Sequence, residues 1–242
     1  MSYITCKDLT LGYQGKVIVR NLNFTVDAGD YLYIVGENGS GKTSLIKTIL
    51  HLQPAISGTI QFSDGLKPND IGYLPQQTTS QKDFPASVRE IVLSGCLGRE
   101  GFHPFYTAKM KASAQKAMER TEISNLADRR FSTLSGGQQQ RVLLSRALCA
   151  ASRMLLLDEP AASLDPDASA SMYQLINTLN TEDGLTVIMI SHDIHAAAKY
   201  AHHILHISET CTFNDRDAYL RSPEGQHYLS MEGGMHDGRN MD

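Results

Sequence analysis

The chain has 242 residues, 41% hydrophobic and 20% charged, a balance that suits one large core or a core with a satellite lobe. Its 22 basic and 26 acidic residues give a formal charge of −4, which argues against the polybasic surface that a nucleic-acid partner needs. No apolar run approaches the roughly 18–20 residues that cross a bilayer, and the first residues lack a basic-then-apolar signal pattern, so a role at a membrane is expected to run through a partner chain. Cys6, Cys96, Cys149 and Cys211 are scattered without a Cys-x-x-Cys pair, as expected of isolated thiols in a reduced cytosolic protein.

In chain order, residues 3–9 and 17–26 alternate apolar with polar side chains and read as half-buried antiparallel strands. Residues 31–35, Tyr-Leu-Tyr-Ile-Val, are apolar throughout, as a strand covered on both faces requires. Leu45, Ile46, Ile49 and Leu52 recur at helical spacing before Pro54. A short strand is expected over 71–74, and a more polar, helical lobe over about 85–133. Then come a helix (about 137–149), a strand (154–157), a helix (167–179), a strand (186–190) and a helix (194–200). Strands alternating with helices imply a parallel sheet with right-handed crossovers, and ligands in such sheets bind at the carboxyl ends of the strands. Residues 214–242 are polar and rich in Gly, His and Asp, and read as a loosely ordered tail.

The chemistry gathers at those strand ends. Gly36-Glu37-Asn38-Gly39-Ser40-Gly41-Lys42-Thr43, followed by Ser44, fits the phosphate-binding pattern G-x-x-x-x-G-K-[ST] between a strand and a helix. Glycines let successive N–H groups turn inward to an anion, the following helix adds its positive end, Lys42 supplies a full charge, and Thr43 offers a hydroxyl to Mg²⁺. The apolar strand at 154–157 runs into Asp158 and Glu159. Asp158 is suited to hold Mg²⁺ through its water shell, and Glu159 to accept a proton from the attacking water. Leu134-Ser135-Gly136-Gly137-Gln138 opens a helix in which Ser135 is a good N-cap and two glycines leave backbone N–H groups bare, a second anion cradle without a lysine of its own.

Taken together, GENGSGKT, LSGGQ and LLLDEP resemble the motifs of the nucleotide-binding subunits of ATP-binding cassette (ABC) transporters, over about residues 3–210. The resemblance implies an α/β fold: a P-loop NTPase core with a parallel sheet, an N-terminal antiparallel β subdomain and an inserted helical subdomain, with the ATPase domain over 1–213. It implies ATP and Mg²⁺ as cofactors. It gives Tyr13 the stacking position on adenine, and Gln76 (with Gln77 beside it) the contact to metal and water. It gives Asp165 the loop that crosses to a partner subunit, and His192 the contact to the γ-phosphate. Metal contacts fall to Thr43, Gln76 and Asp158, and catalytic roles to Glu159, His192, Gln76 and Lys42.

The resemblance also implies a homodimer. Ser135, Gly136, Gly137 and Gln138 of one copy would cover the ATP held by Lys42 of the other, so that binding closes the pair and hydrolysis opens it. Polytopic permease subunits, a solute-binding protein outside the cell membrane and a peripheral position on the cytoplasmic face follow from the same source. The stretch 83–95 resembles that of importers of zinc, manganese or iron. The competing expectations are a siderophore, cobalamin or other small solute as cargo, and a soluble ABC ATPase that serves no transporter. His195, His202, His203, His206 and Cys211 invite a metal site, but a helix end followed by a short strand would turn His203 and His206 to opposite faces.

Overall fold

Strand β1 (Ser2–Tyr13) pairs antiparallel with β2 (Lys16–Asp27) and, on its other edge, with β4 (Ser57–Phe62), giving a three-stranded sheet of order β2-β1-β4. A computed structural model of the chain describes residues 1–13, 16–76, 85–97 and 105–236. They fall into two compact units, Met1–Gly65 with Ile188–Asp242, and Leu66–Val187. In β2 the alternation predicted from sequence is met over its second half, where Leu22, Phe24 and Val26 are buried between exposed neighbours, and it slips by one residue between Val19 and Leu22. In strand β4 the alternation is short and shallow, with Ile60 and Phe62 half-buried between exposed neighbours. Its residues are mostly exposed, and it is held through the ladder that sets Ile4 opposite Phe62 and Cys6 opposite Ile60. β3 (Tyr31–Val35) is buried at every position, as its unbroken apolar run requires, and leads by a loop to α1 (Lys42–Ile49).

The second unit holds β5 (Ile71–Leu74), α2 (Val88–Ser94), α3 (Ala108–Arg120), α4 (Gly136–Ala150), β6 (Met154–Asp158) and α5 (Pro166–Thr181). β5 and β6 run parallel, with Ile71 opposite Met154 and Leu74 opposite Leu157. Helix starts are signalled locally. Ser87 and Glu90 exchange a capping box on α2, Thr107 accepts from Met110 N on α3, and Asp165 accepts from Ala168 N on α5 just before Pro166. Helix α4 packs close on β5, since a Cβ on Gly72 would stand 2.2 Å from the carbonyl oxygen of Ala147.

β7 (Thr186–Ile190) carries the chain back to the first unit, where α6 (Ile194–Tyr200) and β8 (His203–His206) follow. β8 runs parallel to β3, with Leu32 opposite His203 and Val35 opposite His206, and pairs antiparallel with β9 (Thr212–Asp215). Parallel strand pairs, an antiparallel N-terminal sheet and the helices between them are the expected α/β class.

The C-terminal stretch differs from the expected loose tail. It forms α7 (Arg216–Arg221) and α8 (Pro223–His236). The reason is one aromatic anchor: Tyr219 is fully buried, and burying a side chain of that size contributes about 1.5–3 kcal/mol. A polar composition hides a single anchor of this kind. Among the described residues no helix is long and apolar enough to cross a membrane.

Candidate functional site

The first unit places the predicted phosphate loop at the end of β3. Gly36 sits at φ 144°, and a Cβ there would approach Ile207 O to 2.3 Å, so only glycine fits. Gly41, at φ 107°, starts α1 and offers no side chain to cap it, the arrangement that leaves first-turn N–H groups to an anion. Lys42 is buried, and its ammonium donates to the carbonyl oxygens of Gly36 (2.7 Å) and Glu37 (2.8 Å). The buried hydroxyl of Ser40 finds no hydrogen-bond partner among the described residues. A buried polar atom of this sort has a cost unless a ligand or water meets it, which fits an anion seated in the loop.

Residues Glu37, Asn38, Gly39 and Ser40 share one cavity of about 910 Å³ with His192. His192 occupies a tight corner between β7 and α6. Asp193 N donates to the Ser191 hydroxyl (3.1 Å), and Asp193 in turn caps α6 by accepting from Ala196 N (2.8 Å). Residues 152 to 155 positions apart in sequence thus line the same space. Tyr13 ends β1, but its side chain lies outside the described residues, as do Gln77, Asp83 and Phe84.

The second unit carries the acids. Asp158 ends β6 and is only 3% exposed. Burial, with the Asp158 charge as the smaller cause, pushes the Tyr73 hydroxyl up to about 12. Glu159 stands at φ 52°, a left-handed conformation that turns the chain sharply after the strand. Gln76 Nε2 donates to Glu159 Oε2 at 2.7 Å, so the two residues singled out for water and metal are already joined. Gln140 was not foreseen. It is buried, and it lines a small cavity of about 40 Å³ with Gln76, Glu159 and Ser163. The only sign of it in the sequence is the third place in the run Gln138-Gln139-Gln140.

At the signature, Ser135 caps α4. Its hydroxyl accepts from Gln138 N (3.3 Å) while the Gln138 side chain accepts from Ser135 N (3.1 Å). A Cβ on Gly136 would meet only Leu164 at 3.7 Å, and one on Gly137 only Ala168 at 3.4 Å. Glycine costs about 1 kcal/mol against alanine in a helix, and packing within the chain does not demand either one. Both therefore leave the start of α4 uncrowded.

The histidines near the C-terminus are separately engaged. His202 Nδ1 accepts from Tyr31 N (3.1 Å), His203 Nε2 lies 3.0 Å from Asp215, and the ring of His206 meets Tyr219 and Tyr228 edge-on. Among the described residues no three His, Cys, Asp or Glu side chains are grouped to hold a metal ion. Burial holds His206 below its ordinary value of 6.5, and Lys42 adds to the shift while Glu224 and Glu37 oppose it. The folded state therefore resists the proton that the unfolded chain accepts. The stability is full above pH 6.5 and is lost as pH falls toward the depressed folded value. The melting temperature is expected to drop between pH 7.5 and pH 5.5, and to drop less in His206→Gln. Parallel curves for the two proteins would remove His206 as the cause.

A sequence profile described as ABC transporter matches residues 19–162. The zinc import ATP-binding protein ZnuC of Marinobacter nauticus is 38% identical over 192 residues, spanning 79% of this chain and 69% of its own. The zinc uptake system ATP-binding protein ZurA of Listeria monocytogenes is 32% identical over 236 residues, spanning 94% and 89%. Among solved structures, the ATP-binding cassette MJ0796, in a dimeric post-hydrolysis state bound to ADP and Pi, superposes with a TM-score of 0.71 at 26% identity, covering 88% of this chain and 98% of that one.

Proposed function

The chain belongs to the ABC transporter family, as an ATP-hydrolysing subunit coupled to transport, and we propose that it works as a dimer with a second copy to drive import of a divalent metal ion, zinc foremost. The observation that carries the ATPase half is the loop of Glu37 to Ser40 facing His192 in one cavity, with the buried Lys42 bonded to the carbonyl oxygens of Gly36 and Glu37. The cargo rests on the names of the zinc import relatives in Marinobacter nauticus and Listeria monocytogenes.

In this reading residues 36–44 bind the phosphates, Tyr13 stacks on adenine, and His192 contacts the γ-phosphate. Glu159 takes the proton of the attacking water, and Gln76 orients that water. Mg²⁺ would be held by Thr43, Gln76 and Asp158, an all-oxygen set that suits this ion, and when bound it neutralises phosphate charge. Ser135, Gly136, Gly137 and Gln138 close over the nucleotide of the twin, with Asp165 crossing nearby. The bare glycine pair supports that role, because nothing in the chain's own packing needs it.

Permease subunits complete the machine. A groove of about 350 Å³ beside Gln76, lined by Tyr73, Pro75, Ile91 and Phe131 with Glu90 and Arg146 among its polar groups, suits an amphipathic permease helix. The subunit then sits peripherally on the cytoplasmic face of the membrane, and a solute-binding protein outside delivers the cargo.

The test is uptake of radioactive zinc by cells that carry either this chain or Lys42→Ala as their sole copy. Zinc uptake is expected to fall to background in the variant. Zinc uptake unaffected, with siderophore uptake lost instead, would reassign the cargo.

A further inference from the structure

The phosphate cavity has a wall that the family motifs do not account for. Besides the loop and His192, its lining includes His206 on β8 and Glu224, His227 and Tyr228 on α8. The end of β8 also bears directly on the loop. Ile207 N donates to Val35 O at 2.9 Å, and the Ile207 carbonyl stands where a Cβ on Gly36 would need to be, 2.3 Å away. The residue before it, His206, is gripped from the C-terminal helices. Its ring lies edge-on to Tyr219 (centroids 5.8 Å apart, 85°) and to Tyr228 (5.5 Å, 73°), and its Nδ1 is 3.3 Å from the Tyr219 hydroxyl. The turn between the helices is itself tight, since a Cβ on Gly225 would stand 2.1 Å from Tyr219 O.

We propose that α7 and α8 are a working part of the nucleotide site: the clamp of Tyr219 and Tyr228 on His206 fixes the end of β8, which in turn fixes Gly36 and the phosphate loop. The path is contiguous, Tyr228 to His206 to Ile207 to Gly36. Each link is a packed or hydrogen-bonded contact, and close-packed interiors pass small displacements on rather than absorb them. His206 and the two tyrosines are positioning residues. They act on how well the loop is preformed, not on the reacting atoms. Edge-on aromatic contacts of this kind fix ring orientation as well as burying area. Loosening the clamp lets the loop sample conformations that do not bind phosphate, and apparent affinity falls by the fraction that stays competent. The chemistry of bound ATP is left as it was. The proposal rests on the reading that residues 36–44 bind the phosphates.

The experiment measures binding of Mg-ATP by calorimetry, and KM and kcat, for the full chain carrying Tyr228→Ala, Tyr228→Phe or Lys42→Ala. Tyr228→Ala is expected to raise Kd and KM for ATP about ten-fold while kcat stays within about two-fold, the pattern of an effect on binding rather than chemistry. Tyr228→Phe keeps the ring edge against His206 and is expected to restore binding. Tyr228→Leu, of comparable bulk but without the ring, replaces the alanine variant if that protein melts at the assay temperature, with the same ten-fold rise expected. Unchanged Kd in a folded alanine or leucine variant overturns the proposal. A loss of kcat with Kd unchanged overturns it equally. If Lys42→Ala binds ATP normally, the phosphate-loop reading fails first; if it loses ATP while the Tyr228 variants do not, the clamp alone fails.

Discussion

Glu159→Gln is expected to reduce ATP hydrolysis by roughly two orders of magnitude or more, while ATP binding survives. The substitution keeps the size of the side chain and its ability to meet Gln76, which donates to Glu159 Oε2 at 2.7 Å in the native chain. It removes the negative charge that can take a proton from water. Because the backbone at Glu159 is already in the left-handed turn, at φ 52°, and Gln tolerates that conformation no worse than Glu, the loss will be chemical and not structural. Nucleotide that cannot be cleaved holds the pair shut. In sedimentation with Mg-ATP the variant should therefore run as a dimer, and wild type, which clears its ATP, chiefly as a monomer. Undiminished turnover would remove Glu159 from the role of base. A variant that stays monomeric at saturating Mg-ATP would sink the shared-nucleotide account.

Lys42→Ala is expected to weaken ATP binding by about two orders of magnitude or more, since charge-assisted hydrogen bonds contribute about 1.5–3 kcal/mol each and an ammonium has three donors to offer to phosphate oxygens. A second loss adds to the first. The ammonium also ties down Gly36 O and Glu37 O, so its removal frees the loop it would have charged. Calorimetric titration with Mg-ATP measures the sum. Lys42→Arg separates the parts, because it restores the charge but puts a wider, planar head where a compact ammonium fits. Near-native affinity in the alanine variant would show that the cradle binds something other than a polyphosphate.

Much of this architecture is written in short-range chemistry. The uninterrupted apolar run at Tyr31–Val35 reads as a doubly covered strand and is buried throughout. Thr186–Ile190 and Ile194–Tyr200 fall where the pattern predicts, and the structure adds Asp193 as the cap of that helix. Gly36 and Gly41 announce a backbone that suits glycine, and Ser135 announces its helix start, to which the structure adds the reciprocal bond from Gln138. What escaped is what depends on distant partners. β4 is mostly exposed, its two apolar side chains Ile60 and Phe62 only half-buried, so its signal is short and weak and its ladder to β1 places it. Helices α7 and α8 are polar by composition and owe their place to Tyr219, whose burial no periodicity foretells. Gln140 looks like one more helical glutamine until the fold sets it beside Glu159.

The two uncrowded glycines at the start of α4 bear on how rate scales with concentration. In the shared-nucleotide reading proposed above, a helix start that serves only the twin acts on encounter, so dilute enzyme is expected to hold its ATP from one side most of the time. Specific activity of the free subunit should then climb with the amount of protein in the assay. Two copies fixed side by side on a permease would be released from that dependence, since tethering replaces collision by a standing local concentration.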